Sequence, residues 1–508
     1  TLLVTPGDRP ALVVDESTAR EGYVSPPIPA VDPKYTTVAS TVDRSAGPPM
    51  PASFPGLSFP ALQRATLSNG IKLVVAERPG LPVVQMNMLF GGGFAADQGR
   101  KLGTSSFTMG MLDEGAGDYD ALQFGDRVES LGAQLGSSAA LDDSSAFLSA
   151  LTENLDASVA LYADMLRRPR FAEADIERVR AQWLASIKQE KARPNALANR
   201  LLPPLMYGEG HPYAIPFSGS GTEASIASLT VEDLKAYHAD FVRPDNATLI
   251  VVGDTTIEAI TPILEKHFGD WTAPATPVPQ PTIAEVPLPT APRVYLVDQP
   301  GAIQATILAG QLAPSTTDDG SVEFDIANSV LGGEFSSRLN MNLREDKSWA
   351  YGAYSFSSGA KGQRPWIAFA PVQIDKTADA LKEMQREIAA YADGSEPATP
   401  EEVAKIQATE IRSLPGSFET ANAVLGQIGG IVRYNRPDNW VEVRRGRIEA
   451  LDPAAVNAAA KTLDPKALTW VVVGDLSKIE AEVRALNLGE VRIIDADGNA
   501  AGEATAAR

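Results

Sequence analysis

The sequence predicts an α+β protein built from two homologous repeats, each an antiparallel-rich β-sheet covered by helices. An apolar β-branched run, a Gly-Asp pair and an amphipathic segment occur in that order twice, in ATLIVVGDTTIEAITPILEKHF and ALTWVVVGDLSKIEAEVRAL. The two glycines of these pairs, Gly253 and Gly474, lie 221 residues apart. A repeat this long indicates a duplicated domain rather than a solenoid. Strand-like runs also alternate with longer helical patterns inside each half, which favours sheets covered by helices.

The expected elements occur in a similar order in both halves. We expect strands to open the two sheets at 83–93 and 302–312, and helices over 120–131, 175–193 and 376–391. Capping patterns predict further helix starts near Thr230, Asp452 and Thr399. The last start is the strongest, because Pro400 occupies the first helical position and a glutamate occupies the third.

Proline-rich stretches mark the expected boundaries between these bodies. The first 60 residues contain 11 prolines, and the stretch from 272 to 292 contains seven. Such segments favour extended, polyproline-like linkers. We therefore expect an N-terminal strand and linker (1–60), a first repeat (61–271), a linker (272–292), a second repeat (293–490) and a C-terminal tail (491–508).

Composition excludes several classes of function. The formal net charge of −20 argues against binding to nucleic acid or to an anionic membrane surface. No run of about 18 apolar residues is present, so we expect no membrane span. The absence of cysteine excludes disulfides, thiolate zinc sites and a cysteine nucleophile.

Four stretches resemble the pitrilysin-type zinc peptidases, the group that includes insulysin and the mitochondrial processing peptidase. They are ATLSNGIKLVVAERPGLPVVQMNMLFGGGFAAD, ENLDASVALYADMLRRPRF, VRPDNATLIVVGD and LGGEFSSRLNMNLREDKSWAYG, of which the last is the most specific. The resemblance extends from about residue 60 to residue 490. It implies that the two repeats form one half of a clamshell, which a homologous half closes around a peptide.

The zinc positions of this family are replaced in the sequence. Active members carry H-x-x-E-H on a helix after the opening strand, and a further glutamate ligand roughly 76 residues later. The resemblance places these positions at Ser106, Met109, Gly110 and Ser186. None of the four is a competent zinc ligand, and none is a base at neutral pH. We therefore expect this chain to bind no cofactor, and we expect zinc in the partner.

Other candidate sites are weaker. His211, His238 and His267 are far apart in the sequence without acids at ligand spacing, which favours structural or surface roles. The glycines of FGGGF, 90–94, are not followed by the Lys-Ser/Thr of a phosphate loop. The stretch FSGSGTEAS, 217–225, has no strand before it, so it does not match a nucleophile elbow.

Arg344 and Tyr351 match a pair that the family retains at this spacing. The resemblance implies that both side chains reach the zinc cleft, where they hold a peptide carbonyl and stabilise the oxyanion. Arginine suits this role because its charge is permanent and its donor geometry is rigid. The alternative is a surface pairing of Arg344 with Glu345 or Asp346, together with a structural Tyr351.

The stretch from 132 to 151 corresponds to the edge strand on which family members add substrate as an extra strand. Pairing of this kind gives affinity through the backbone rather than through side chains. This strand belongs to the half without zinc, so a purely structural edge is the alternative.

The resemblance, with the zinc positions replaced and the Arg344–Tyr351 pair present, implies the non-catalytic, substrate-binding half of a bipartite zinc metallopeptidase. The partner would be a homologous zinc-bearing subunit, or the N-terminal half of a fused precursor, and the substrates would be peptides, basic or neutral in view of the net charge. The N-terminal run TLLVTP resembles the end of a preceding half, which favours the precursor. The alternatives are a structural subunit of this fold and a peptide-binding protein without cleavage. A periplasmic location is expected, with the cytoplasm as the alternative.

Overall fold

A computed structural model describes residues 40–45, 47 and 59–501. The run TLLVTP, which we interpreted as a strand, lies outside the described residues. The helices and strands of the described ranges all belong to the unit formed by residues 55–508. No helix in the described ranges is both long enough and apolar enough to cross a membrane.

The described part of the chain contains twelve strands. They are β1 (Gln63–Thr66), β2 (Lys72–Glu77), β3 (Val83–Gly91), β4 (Gln134–Ala139), β5 (Asp143–Leu151), β6 (Ala247–Gly253), β7 (Arg293–Asp298), β8 (Gln304–Ala313), β9 (Tyr354–Ser357), β10 (Arg364–Gln373), β11 (Thr469–Gly474) and β12 (Glu490–Ile494). They form two six-stranded sheets, β1-β2-β6-β3-β5-β4 and β12-β7-β11-β8-β10-β9.

Sixteen α-helices accompany these strands in the same described ranges. They are α1 (Thr104–Met109), α2 (Ala121–Ser130), α3 (Leu155–Arg167), α4 (Glu173–Ala192), α5 (Pro194–Tyr207), α6 (Glu223–Ala227), α7 (Val231–Phe241), α8 (Ile257–Phe268), α9 (Ser321–Asn328), α10 (Arg338–Asn340), α11 (Thr377–Asp393), α12 (Pro400–Ser413), α13 (Ala421–Arg433), α14 (Trp440–Ala450), α15 (Pro453–Ala460) and α16 (Leu476–Ala485). Two π-helical segments, Ser329–Gly333 and Met341–Asp346, flank α10.

The two sheets share one pairing scheme over five strands. In the first, β6 runs parallel to β2 and antiparallel to β3, which pairs with β5. In the second, β11 runs parallel to β7 and antiparallel to β8, which pairs with β10. The sixth strand differs, because β1 is antiparallel to β2 whereas β12 is parallel to β7. The predicted α+β class, with two helix-covered sheets, is confirmed.

Each sheet is covered on one face by a helix from the other repeat. Helix α5, from the first repeat, packs against β8 and β11 of the second sheet. Helix α13, from the second repeat, packs against β3 and β6 of the first sheet. Leu197 and Leu202 are the buried anchors on α5, and Val424 and Ile428 are those on α13. The two repeats therefore share core residues, and neither sheet buries both faces without the other repeat.

Local capping signals predict several helices correctly. Thr399 accepts a hydrogen bond from the backbone of Glu402, whose side chain accepts one in return, so α12 begins in a capping box. Thr230 starts α7 in the same way, and the Asp452 side chain caps α15.

Three expectations about elements were wrong. The strands at 83–93 and 302–312 do not open their sheets, because β1 and β2 precede β3, and β7 precedes β8. The stretch 132–151 is not one strand but the hairpin of β4 and β5. The sheet also extends past residue 490, where we expected the tail to begin, because β12 pairs with β7 from Glu490 to Ile494.

Candidate functional site

Helix α1 contains the degenerate zinc positions Ser106 and Met109, ends just before Gly110, and is held at its start by a buried carboxylate. Asp97 accepts hydrogen bonds from the backbone N–H groups of Gly103 (2.7 Å) and Ser105 (2.9 Å). These contacts satisfy donors that a helix start leaves unpaired. Burial raises the pKa of the Asp97 carboxyl to about 7. The sequence pattern did not single out Asp97, because it lies outside the usual N-cap position.

At the four degenerate positions, the side chains are either packed in the core or exposed to solvent, and none of them is a metal-binding group. Met109 is fully buried, and Ser106 is nearly so. A Cβ atom at Gly110 would lie 3.6 Å from Cζ3 of Trp183, so this indole fills the space beside the third position. Ser186 is exposed on α4. Ser106 and Met109 therefore serve the packing of α1, and the four positions together offer no set of zinc ligands.

The histidines are held in three separate places. Nε2 of His211 donates to the carbonyl of Ala284 (3.0 Å), and Nε2 of His238 donates to the carbonyl of Leu166 (2.8 Å). Nε2 of His267 lies 3.1 Å from Oδ1 of Asp156. Burial lowers the pKa of His238, which favours a neutral ring. Within the described ranges, no group of three or more histidines and acids could hold a metal ion.

The structure brings Arg344 and Tyr351 into contact. The Arg344 guanidinium carbon lies 5.1 Å from the centre of the Tyr351 ring and 4.7 Å from that of Phe335. Its Nε also lies 3.3 Å from Oε1 of Glu345, which is the surface pairing we considered as the alternative. Both contacts therefore exist together. Phe335 belongs to the motif GGEFSSRL, but its part in holding Arg344 was not predicted.

Irregular backbone surrounds this pair. Arg344 lies in the π-helical segment Met341–Asp346, a feature frequent at functional sites. Between the two residues, Ser348 has φ +55°, a conformation that is strained for a residue with a side chain. Tyr351 is 84% exposed and makes no hydrogen bond to any described residue. Its hydroxyl is therefore available to a ligand.

The edge strands β4 and β9 differ in what covers them. At β9, the side-chain amide of Asn328 donates to the carbonyl of Ser355 (3.0 Å), and the side chain of Asn340 accepts from the N–H of Ala353 (3.1 Å). These contacts block the addition of another strand there. At β4, no described strand pairs with the outer edge. Of these two strands, β4 therefore offers a free edge of the kind to which an extended peptide can add.

The tips of the two hairpins meet at a buried polar junction that sequence patterns did not reveal. Asp142, after β4, accepts from the Tyr213 hydroxyl (2.5 Å) and from the backbone N–H of Lys361 (2.7 Å). Burial raises the pKa of Asp142. Beside it, Asp143 forms an ion pair with Arg433 of α13. The β4–β5 hairpin is therefore anchored to the second repeat.

Two family models match the chain. One, described as "Insulinase (Peptidase family M16)", matches residues 72–214. The other, described as "Peptidase M16 inactive domain", matches residues 228–410, which include both Arg344 and Tyr351.

Similar proteins include one named as a zinc protease and one named as a non-peptidase. The "Non-peptidase homolog YmxG" of Helicobacter pylori is 24% identical over 319 residues, which are 61% of this chain and 70% of that protein. An uncharacterised zinc protease of Streptomyces coelicolor is 21% identical over 423 residues, 83% of this chain and 91% of that protein.

Solved structures share the fold. A peptidase M16 inactive domain from Pseudomonas fluorescens is 26% identical with a TM-score of 0.74, over 81% of this chain and 98% of that one. A protease from Helicobacter pylori is 21% identical with a TM-score of 0.76, and the match covers 82% of this chain and 100% of that one.

Proposed function

Because this chain belongs to peptidase family M16, we propose that it is the non-catalytic, substrate-binding half of a bipartite zinc metallopeptidase. A homologous chain or half with H-x-x-E-H would supply the zinc ion, the activated water and the general base. This chain would supply the Arg344 and Tyr351 donors and part of the chamber wall. Peptide or unfolded-segment substrates fit the free edge of β4.

The contact between Arg344 and Tyr351 is the observation that carries this proposal. A subunit with a purely structural role has no need for an exposed tyrosine hydroxyl beside a guanidinium that two rings hold in place. A guanidinium fork and a hydroxyl on one surface can donate together to a peptide carbonyl, and more strongly to the oxyanion that forms from it. Strained backbone between the two residues supports the same conclusion.

The degenerate zinc positions support the division of labour between two halves. A buried Met109 stands at the position of the base, and Trp183 lies in contact distance beside Gly110, so these positions carry no group that could activate water. This chain would contribute the donors Arg344 and Tyr351, and the partner would contribute the zinc ligands that this chain lacks. The chain alone is expected to hydrolyse peptides at no measurable rate.

Mixing the chain with a zinc-bearing family M16 chain from the same source tests the proposal. The mixture should cleave a fluorogenic peptide, and Arg344→Ala should lower kcat/KM by about 10²–10³, as expected for the loss of one oxyanion donor. The matched control is Arg445→Ala, which removes another surface arginine paired with a glutamate, at 2.8 Å. Gel filtration should show that both variants still assemble with the partner.

Three outcomes would contradict this proposal or favour another function. If the mixture cleaves and Arg344→Ala changes kcat/KM less than twofold, the assigned role is wrong. If the chains assemble without cleavage, a structural subunit fits better. Peptide capture by the chain without cleavage would indicate a binding protein.

A periplasmic location is part of the proposal, and fractionation of the source cells tests it.

A further inference from the structure

A cavity of about 430 Å³ lies where the hairpin tips of the two repeats meet. Its wall combines the end of β4 and the turn after it, the end of α5, the loop 213–218 and the β9–β10 turn. The larger side chains that line it are those of Phe94, Leu141, Tyr207, Tyr213, Ile215 and Phe217. We refer to this space as the junction cavity.

The chemistry of the junction cavity favours an apolar and uncharged occupant. No described residue in its lining carries a charged side chain. The hydroxyl groups of its two tyrosines are already used, since Tyr207 donates to the carbonyl of Gln363 (2.8 Å) and Tyr213 donates to Asp142 (2.5 Å). Their rings, which pack edge to face with centres 5.4 Å apart, are therefore held as fixed apolar walls. A preformed apolar pocket is typical of a ligand site.

The junction cavity lies at the end of β4. Ala139, the last residue of β4, lines it, and so do Ala140 and Leu141 of the following turn. Because β4 ends at the cavity, a peptide paired along the outer edge of this strand would reach the cavity at one of its ends. Successive side chains of an extended peptide point to alternate sides, so a single large side chain at that end can enter.

We propose that the junction cavity is a subsite for one bulky apolar side chain, aromatic or large aliphatic, of a peptide that pairs with β4. This proposal rests on the proposed function and adds a substrate preference to it. Strand pairing would supply affinity that is indifferent to sequence, and the cavity would supply the selectivity. Transfer of a phenylalanine side chain from water into such a pocket corresponds to an affinity gain of about 10- to 100-fold.

Peptide binding by the isolated full chain tests the subsite without the zinc partner. The probes are four fluorescein-labelled heptapeptide amides built from alternating Ser, Thr and Val. Each carries either Phe or Ala in place of its first or its last residue. Fluorescence anisotropy should give a Kd about 10- to 100-fold lower for Phe than for Ala at one of these two positions. The proposal would be overturned if the Phe and Ala peptides had equal Kd values at both positions. It would also be overturned if none of these peptides bound at about 1 mM.

Filling the cavity should remove this preference. Ala140 lines the cavity and is exposed, so Ala140→Phe places a ring in the space that the peptide side chain would take. The Phe peptide should then bind as weakly as the Ala peptide, whose Kd should change little. The control is Ala275→Phe, at an exposed position outside the cavity, which should keep the preference. An unchanged preference in Ala140→Phe would contradict the proposal.

Photocrosslinking of the unmodified chain gives a readout that does not depend on the folding of a variant. The same peptide with benzoylphenylalanine in place of Phe should crosslink to Ile215, Phe217 or Leu141, and an excess of the Phe peptide should suppress the crosslink. Crosslinks elsewhere would overturn the subsite. Failure of Arg344→Ala to affect cleavage would instead overturn the proposed function and leave the measured side-chain preference intact.

Discussion

The guanidinium of Arg344 lies over the ring of Tyr351, 5.1 Å from its centre, with the ring of Phe335 also in contact at 4.7 Å. Cation–π contacts at exposed positions contribute about 0.5–1 kcal/mol each, which is sufficient to orient a side chain without burying it. The Arg344 donors and the free Tyr351 hydroxyl therefore occupy one surface before any ligand arrives. This preorganisation is what an oxyanion-stabilising site requires.

Tyr351→Phe separates the hydroxyl from the ring. The variant keeps the ring against Arg344 but loses the donor, so cleavage by the complex with the zinc partner should fall by about 10²-fold in kcat. The kcat of the complex with Tyr351→Ala should fall further, because Arg344 also loses the ring that supports it. Since Tyr351 is 84% exposed, urea unfolding should show changes within about 0.5 kcal/mol for Tyr351→Phe. Equal rates for wild type and Tyr351→Phe would remove the hydroxyl from the mechanism.

Restoring an acid at the degenerate zinc helix should damage the fold rather than restore chemistry. Met109 is fully buried in the hydrophobic core of the first repeat, so Met109→Glu is expected to lower the free energy of unfolding by about 3–5 kcal/mol, because it buries an unpaired carboxyl. Leu122→Glu, at a position that is 82% exposed, is the control and should change it by less than about 0.5 kcal/mol. Metal analysis of the purified wild-type chain should find far less than one zinc per chain. A stoichiometric zinc ion would contradict our interpretation of this helix.

The ion pair between Asp143 and Arg433 should contribute to the docking of the two repeats. The Asp143 side chain is only 8% exposed, so Arg433→Ala leaves a buried carboxylate without its partner and should cost about 3–5 kcal/mol. The double variant with Asp143→Ala should be less destabilised than the sum of the single variants, because it removes both charges. Urea unfolding of the four proteins gives the coupling energy. Additive effects would show that the pair is not coupled.

The stability of α1 should depend on pH through Asp97. The folded-state pKa of about 7 lies above the ordinary value of 3.8, so protonation favours the folded state. This contribution is fully present below about pH 4 and is lost as the pH rises through 7. The free energy of unfolding of the wild type minus that of Asp97→Asn should therefore decrease from about pH 4.5 to about pH 7.5, because only the wild type loses stability as the carboxyl ionises. A difference that increases over this range would mean that the two backbone hydrogen bonds outweigh burial.

Elements whose signals lie in a few neighbouring residues were predictable. The start of α12 at Thr399 and the two strands that end at Gly253 and Gly474 depend on capping and on local apolar patterns. The hairpin within 132–151 was missed because its turn, Ala140 to Asp142, contains no glycine or proline. Contacts with Phe94 and with the second repeat hold that turn instead.

Residue identity and local periodicity predict a duplicated α+β protein. The resemblance of this sequence to the family predicts the replaced zinc positions and the pair of Arg344 and Tyr351. Three other properties emerge from the folded chain alone: Tyr351 supports Arg344, β4 is free whereas β9 is covered, and a cavity forms between the repeats. These features depend on contacts such as Asp143 with Arg433, 290 residues apart. Contacts at such separations form only when the two repeats dock, and no local pattern encodes their geometry.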